Sequence, residues 1–126
     1  MSAKQSHQST RSVVLVVEDE PFLRLMGVDL LEEAGFDVLQ ACNADEALRL
    51  LETHPEVRVV FSDVEMPGSL DGLGLARRIC QRWPEIGIVL TSGHQLGTEM
   101  LPRDGTFLIK PYDSTALVRT IEEIMH

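Results

Sequence analysis

Cysteine is scarce in this chain: Cys42 and Cys80 are the only two in 126 residues, and neither sits in a CxxC or zinc-type spacing. That excludes a disulfide framework and a thiolate metal site, and leaves two reduced, partly buried thiols as the expectation. Histidine offers no metal motif either, since His7, His54, His94 and His126 are scattered. No apolar run approaches the roughly 20 residues that a membrane span needs, and the N-terminus lacks a signal-peptide core. A cytoplasmic protein without a membrane partner is therefore expected. Basic residues are outnumbered 11 to 20, for a formal net charge of −9. Such a surface repels nucleic-acid phosphates at long range but suits a bound cation or a basic partner protein. No repeat, low-complexity linker or second domain is visible.

What is present reads as one globular domain, 44% hydrophobic and 25% charged, spanning residues 11–126 behind a polar, disordered tail over residues 1–10. Ser12 to Val17 is a short β-branched run and reads as a strand. Pro21 suits the first turn of a helix, along which Leu23, Met26, Gly27, Leu30, Leu31 and Ala34 fall on one face, with Gly35 as the stop. Phe36 to Leu39 makes a second strand. Asn43 followed by Glu46 predicts a helix cap, with Ala44, Ala47, Leu48 and Leu51 as the apolar stripe. Val57 to Phe61 reads as a strand buried on both faces. A helix follows from about Gly72, capped by Asp71, with Leu75, Ala76, Ile79, Cys80 and Trp83 facing inward.

Residues 86–90 (IGIVL) give the fourth strand, and residues 106–109 (TFLI) the fifth. The stretch from Gly93 to Asp104 is broken by glycine and proline, which predicts a short or poorly formed helix. Asp113 or Ser114 caps the last helix, which carries Leu117, Ile121 and Ile124. Alternation of strand and helix along a whole domain implies a parallel sheet covered on both faces, with right-handed crossovers. Ligands of such sheets bind outside the carboxyl ends of the strands.

Those ends carry the chemistry. Strand one ends in Glu18-Asp19, strand three in Asp63 with Glu65 nearby, strand four in Thr91-Ser92, and strand five in Lys110. Carboxylates about 4 Å apart repel by roughly 4 kcal/mol per pair at an effective dielectric near 20, so opposing charge is required. Lys110 provides one unit. A divalent cation on oxygen-only ligands, Mg²⁺ or Mn²⁺, provides two more. A carboxylate beside a metal, an ammonium and a hydroxyl is arranged to receive a phosphoryl group.

With VVEDE, SDVEMPG, LTSGH and LIKPY in this order and spacing, residues 12–125 resemble the receiver domain of bacterial two-component response regulators. The resemblance implies a flavodoxin-like (βα)5 three-layer sandwich whose parallel sheet has the order 2-1-3-4-5. It implies that Asp63 is the phosphorylated nucleophile, and that Asp19 binds Mg²⁺ directly with Glu18 helping through water. Glu65 would offer its backbone carbonyl to the metal, Thr91 and Lys110 would contact the phosphoryl oxygens, and the Lys110-Pro111 bond would be cis. Phe107 occupies the aromatic position that turns inward on activation, forming a switch with Thr91.

The implied partners are a histidine kinase or histidine phosphotransfer protein and a downstream protein target. The implied state is a monomer or a weak, phosphorylation-dependent dimer. The expected role is a stand-alone receiver that catalyses its own phosphorylation and dephosphorylation but turns over no external substrate. The rival reading is an aspartate-nucleophile, Mg²⁺-dependent phosphatase of the haloacid dehalogenase type. That family wants DxD at its first strand, whereas Asp63-Val64-Glu65 closes the third. Two departures from the commonest receiver pattern stand out: the loop MPGSLDG is about one residue longer, and the interval from Thr91 to Lys110 is a few residues shorter.

Overall fold

The computed structural model describes residues 13–94 and 105–125. The polar tail and residues 95–104 of the glycine- and proline-broken stretch lie outside the described residues. Five strands are present among them: β1 (Val13–Val17), β2 (Asp37–Ala41), β3 (Val57–Asp63), β4 (Gly87–Ser92) and β5 (Gly105–Ile109). Four helices accompany them: α1 (Pro21–Glu33), α2 (Ala44–Thr53), α3 (Gly72–Arg82) and α4 (Ser114–Met125). All the strand pairs are parallel, in the order β2-β1-β3-β4-β5.

Local signals set the helix ends. Glu20 caps α1 by accepting from the Leu23 N–H, and Pro21 opens it. Gly35, at φ 100°, follows the helix C-terminus in the left-handed conformation that glycine adopts most readily. Asn43 Oδ1 accepts from the Glu46 N–H at 2.8 Å, and Glu46 Oε1 reaches back to the Cys42 N–H at 2.7 Å. Asp71 caps α3 through the Gly74 N–H at 2.9 Å. For the last helix the residue is Asp113, whose side chain takes the Thr115 N–H and whose carbonyl takes that of Leu117.

The core forms two layers. On one face of the sheet, Leu15, Val60, Ile88 and Leu90 pack against Ala47 and Leu51 of α2 and Leu75 and Ile79 of α3. On the other, Val14, Val16, Val59, Phe61 and Val89 pack against Val28 and Leu31 of α1 and Leu117 and Ile121 of α4. Strand β3 is buried on both faces apart from Arg58, as its composition implied. Strand β2 begins one residue later and ends two later than the sequence suggested, and β4 runs on to Ser92. The β2 extension pairs in register with β1, Thr91 with β3 and Ser92 with β5, and that pairing outweighs local composition.

The face expected of α1 needs correction. Gly27 and Leu31 are buried, but Leu23, Met26 and Ala34 are exposed, and Val28 takes the inner position. Gly27 sits over Val16 and Phe61, where an added Cβ would lie 3.7 and 4.0 Å from their side chains, so the helix settles on this short-side-chain seam. Phe22 and Leu23 of its first turn are exposed. Cys42, expected to be partly buried, is exposed; Cys80 is half-buried.

Candidate functional site at the carboxyl edge of the sheet

Asp63 is the last residue of β3, 7% exposed, and held from several sides. The Val64 N–H donates to the Thr91 carbonyl at 2.9 Å, and the Gly72 N–H to the Val64 carbonyl at 2.9 Å, fixing the chain just beyond it. Gly72 is required there: a Cβ would stand 2.1 Å from the Asp63 carbonyl oxygen and 2.7 Å from the Val64 Cα. The carboxylate accepts from the Glu65 N–H at Oδ1 (3.1 Å) and from the Lys110 ammonium at Oδ2 (2.8 Å). Each oxygen keeps a lone pair free.

Lys110 reaches this position because its own N–H donates to the Ser92 carbonyl at 2.8 Å, continuing the β4–β5 ladder by one residue. Burial works against its ammonium, but the hydrogen bond and charge of Asp63, helped by Glu18, more than offset it, and the pKa lies above the ordinary lysine value. The Lys110-Pro111 bond is cis.

Glu18 is 9% exposed, and its pKa is raised from 4.5 to about 7. Burial is the main cause; the neighbouring Asp63 charge adds to it, while the Glu20 N–H and Lys110 oppose it. Arg24 secures this corner, donating from Nη1 to the Glu18 carbonyl at 2.9 Å and from Nε to Gln40 Oε1 at 3.0 Å. Asp19 stands exposed beside it.

Thr91 pairs in register with Asp63 and is 3% exposed. Its hydroxyl oxygen is buried with no hydrogen-bond partner, the one such side-chain atom among the described residues. A buried, unpaired hydroxyl costs about 1–3 kcal/mol. With Glu18, Asp63, Lys110 and Tyr112, Thr91 lines a cleft of about 550 Å³ that runs between α1 and the start of α4. The structure thus brings Glu18, Asp63, Thr91 and Lys110 to one cleft. Glu65 contributes its N–H to Asp63, while its side chain bonds to Ser92. Phe107 lies elsewhere: it is half-buried and packs with the α2–α3 layer, paired with Leu90, whereas Leu108 is the β5 neighbour of Thr91. Phe107 and Thr91 thus lie on opposite faces of the sheet in this structure.

The site's donors suit a hard cation. They are oxygens only, around a buried carboxylate carrying one positive neighbour, and Glu18, raised chiefly by burial and further by the Asp63 charge, stands beside it. Among the described residues no three carboxylate, histidine or cysteine groups form a metal cage. A cation bound here would keep water ligands, as Mg²⁺ does.

Sequence reasoning missed Gly72 and Arg24. The signal for the first was a glycine directly after the cap of a helix that follows the acidic strand end. The Arg24 contacts span 6 and 16 residues, and no local pattern announces them.

Comparison with known proteins gives a consistent picture. The family model for the response regulator receiver domain matches residues 14–122. The chain is 35% identical to the sensor kinase CckA of Brucella abortus over 97% of its own length, but spans only 13% of that kinase. It is 32% identical to the response regulator receiver protein CpdR of Brucella abortus, covering 89% of this chain and 95% of that one. Among solved structures, the response regulator protein TrrA of Thermotoga maritima, in complex with Mg²⁺-BeF, superposes with a TM-score of 0.78 at 26% identity, over 90% of this chain and 98% of that one. The flavodoxin-like order 2-1-3-4-5 is the one found.

Proposed function

Because this chain belongs to the response regulator receiver domain family of two-component signalling, we propose that Asp63 accepts a phosphoryl group from the phosphohistidine of a histidine kinase or phosphotransfer protein. The observation that carries this reading is the Thr91 hydroxyl, buried, unpartnered and lining the same cleft as Asp63 and Lys110. A donor left unsatisfied beside a carboxylate–ammonium pair has a role once further oxygens arrive.

In the transfer, a lone pair of the Asp63 carboxylate forms the new O–P bond as the donor's N–P bond breaks, and that electron pair returns to the imidazole. The Lys110 ammonium, 2.8 Å from Oδ2, is placed to follow the charge onto the phosphoryl oxygens, and the Thr91 hydroxyl to donate to one of them. The Glu65 N–H keeps the carboxylate oriented. Asp19, Asp63 and the Glu65 carbonyl, with Glu18 through water, would hold Mg²⁺, which would supply positive charge to offset that of the phosphoryl oxygens. The chain then loses the group by hydrolysis, with its own residues as the catalysts and no external substrate. The product is a changed interaction surface for a downstream protein.

The donor protein docks over α1. Phe22, Leu25 and Met26 are 67%, 53% and 53% exposed on one apolar helix face, and Met26 lines the cleft with Leu23. The net charge of −9 favours a basic rim on the donor. No helix among the described residues is long and apolar enough to cross a membrane, and we place the exchange in the cytoplasm.

Incubation with Mg²⁺ and acetyl phosphate, followed by intact mass, tests the assignment. One base-labile phosphoryl group is expected on the wild type and none on Asp63→Asn. Undiminished labelling of that variant would sink it.

A further inference from the structure

We infer that Ser92 is a positioning residue for this reaction: its hydroxyl parks the Glu65 carboxylate away from the path of the incoming phosphoryl group. The inference rests on Asp63 being the acceptor. Successive residues of a strand point to opposite faces, and β4 uses the two faces of its last pair differently. Thr91 lines the cleft with an idle hydroxyl, whereas the Ser92 hydroxyl is committed. Ser92 is fully buried and donates its one proton to Glu65 Oε2 at 2.6 Å, while accepting the His94 N–H at 3.0 Å. The short O–H···O⁻ contact is of the strong, charge-assisted kind.

Glu65 needs such a restraint because of where it stands. It is exposed, two residues beyond Asp63, and its N–H holds Asp63 Oδ1 at 3.1 Å. An untied carboxylate on that residue would add a mobile negative charge to an edge that already carries Glu18, Asp19 and Asp63. Phosphoryl donors are anions, and the cation site shares the same edge, so a free Glu65 opposes the donor and competes for the metal. Tied across to β4, 27 residues away, the carboxylate is spent on a hydrogen bond. The backbone N–H of the same residue is meanwhile steadied on the acceptor oxygen.

A two-by-two comparison tests this. Phosphorylation of wild type, Ser92→Ala, Glu65→Ala and the double variant by acetyl phosphate and Mg²⁺ is followed by mass, with circular dichroism as the check of fold. Ser92→Ala is expected to slow labelling by roughly three- to tenfold, the scale of one unit charge in a partly solvated site. In the Glu65→Ala background the same substitution is expected to change nothing, because the charge it would release is gone. Equal slowing in both backgrounds would overturn the inference, since Ser92 would then act only through β4 itself. If Ser92→Ala fails to fold, Ser92→Cys takes its place; it keeps the volume with a far weaker donor, and a wild-type rate in that variant overturns the proposal. A wild type that takes no label at Asp63 would bring down the proposed function and this inference together. Labelling at Asp63 with additive effects would remove this inference alone.

Discussion

Replacing Thr91 by valine should make the unphosphorylated protein more stable and the phosphorylated one less so. The hydroxyl oxygen of Thr91 is buried without a partner in the resting structure. A methyl group of nearly the same size removes the desolvation cost of that oxygen and leaves the strand pairing with Asp63 untouched. Unsatisfied buried hydroxyls cost about 1–3 kcal/mol, so a gain of about 1–2 kcal/mol is expected. For a chain of this length that raises the melting temperature by roughly 3–8 °C. Urea and thermal melts in the presence of a chelator read this first half.

The second half uses Mg²⁺ with beryllofluoride as a phosphoryl mimic. The mimic stabilises whatever binds it by mass action, and the wild type should gain more than Thr91→Val, because only the wild type has the hydroxyl to offer. The gap between the two proteins should therefore narrow or reverse on adding the mimic. A valine variant no more stable than wild type without the mimic, and equally stabilised with it, would refute the reasoning. The hydroxyl would then be an ordinary strand-end group with a partner in solution.

Two further outcomes are expected. The Glu18 carboxyl has its pKa raised from 4.5 to about 7, so between those values the folded state holds a proton that the unfolded state has released. Stability of the metal-free protein should accordingly fall as pH rises through that window, by up to about 3 kcal/mol. Glu18→Gln should lack that fall and be the more stable protein above pH 7 without metal; a wild-type fall undiminished in the variant would place its source elsewhere. Phe22→Ser, in the exposed face of α1, should slow phosphoryl transfer from a cognate histidine kinase at least severalfold while leaving labelling by acetyl phosphate unchanged. Equal rates from the kinase would mean that the donor docks on another surface.

Strand alternation, caps and glycine stops made the fold readable in advance. Asn43 with Glu46, Asp71 and Gly35 act within four residues of themselves, so their consequences can be read locally. The face of α1 could not be read so. Leu23, Met26 and Leu30 keep helical spacing, yet the helix is seated by Gly27 against Val16 and Phe61, a contact between elements that periodicity does not encode. Met26, thereby displaced outward, is one of the residues proposed to meet the donor. A stripe that looked like core is in part a surface, and composition alone does not separate the two.

The site shows the same division at finer scale. That carboxylates, a hydroxyl and an ammonium meet at one edge followed from counting strand ends, because a parallel sheet leaves its carboxyl ends no other place to go. What each group does there depends on which way it faces. Thr91 and Ser92 are adjacent hydroxyl residues, and by residue type alone either could serve the phosphoryl group. Their division is fixed by the pairing of Asp63 with Thr91, which puts the threonine on the acceptor's side of the sheet and sends the serine to Glu65. One residue of register would exchange them. The committed hydroxyl would then face the phosphoryl group, and the idle one would leave Glu65 untied.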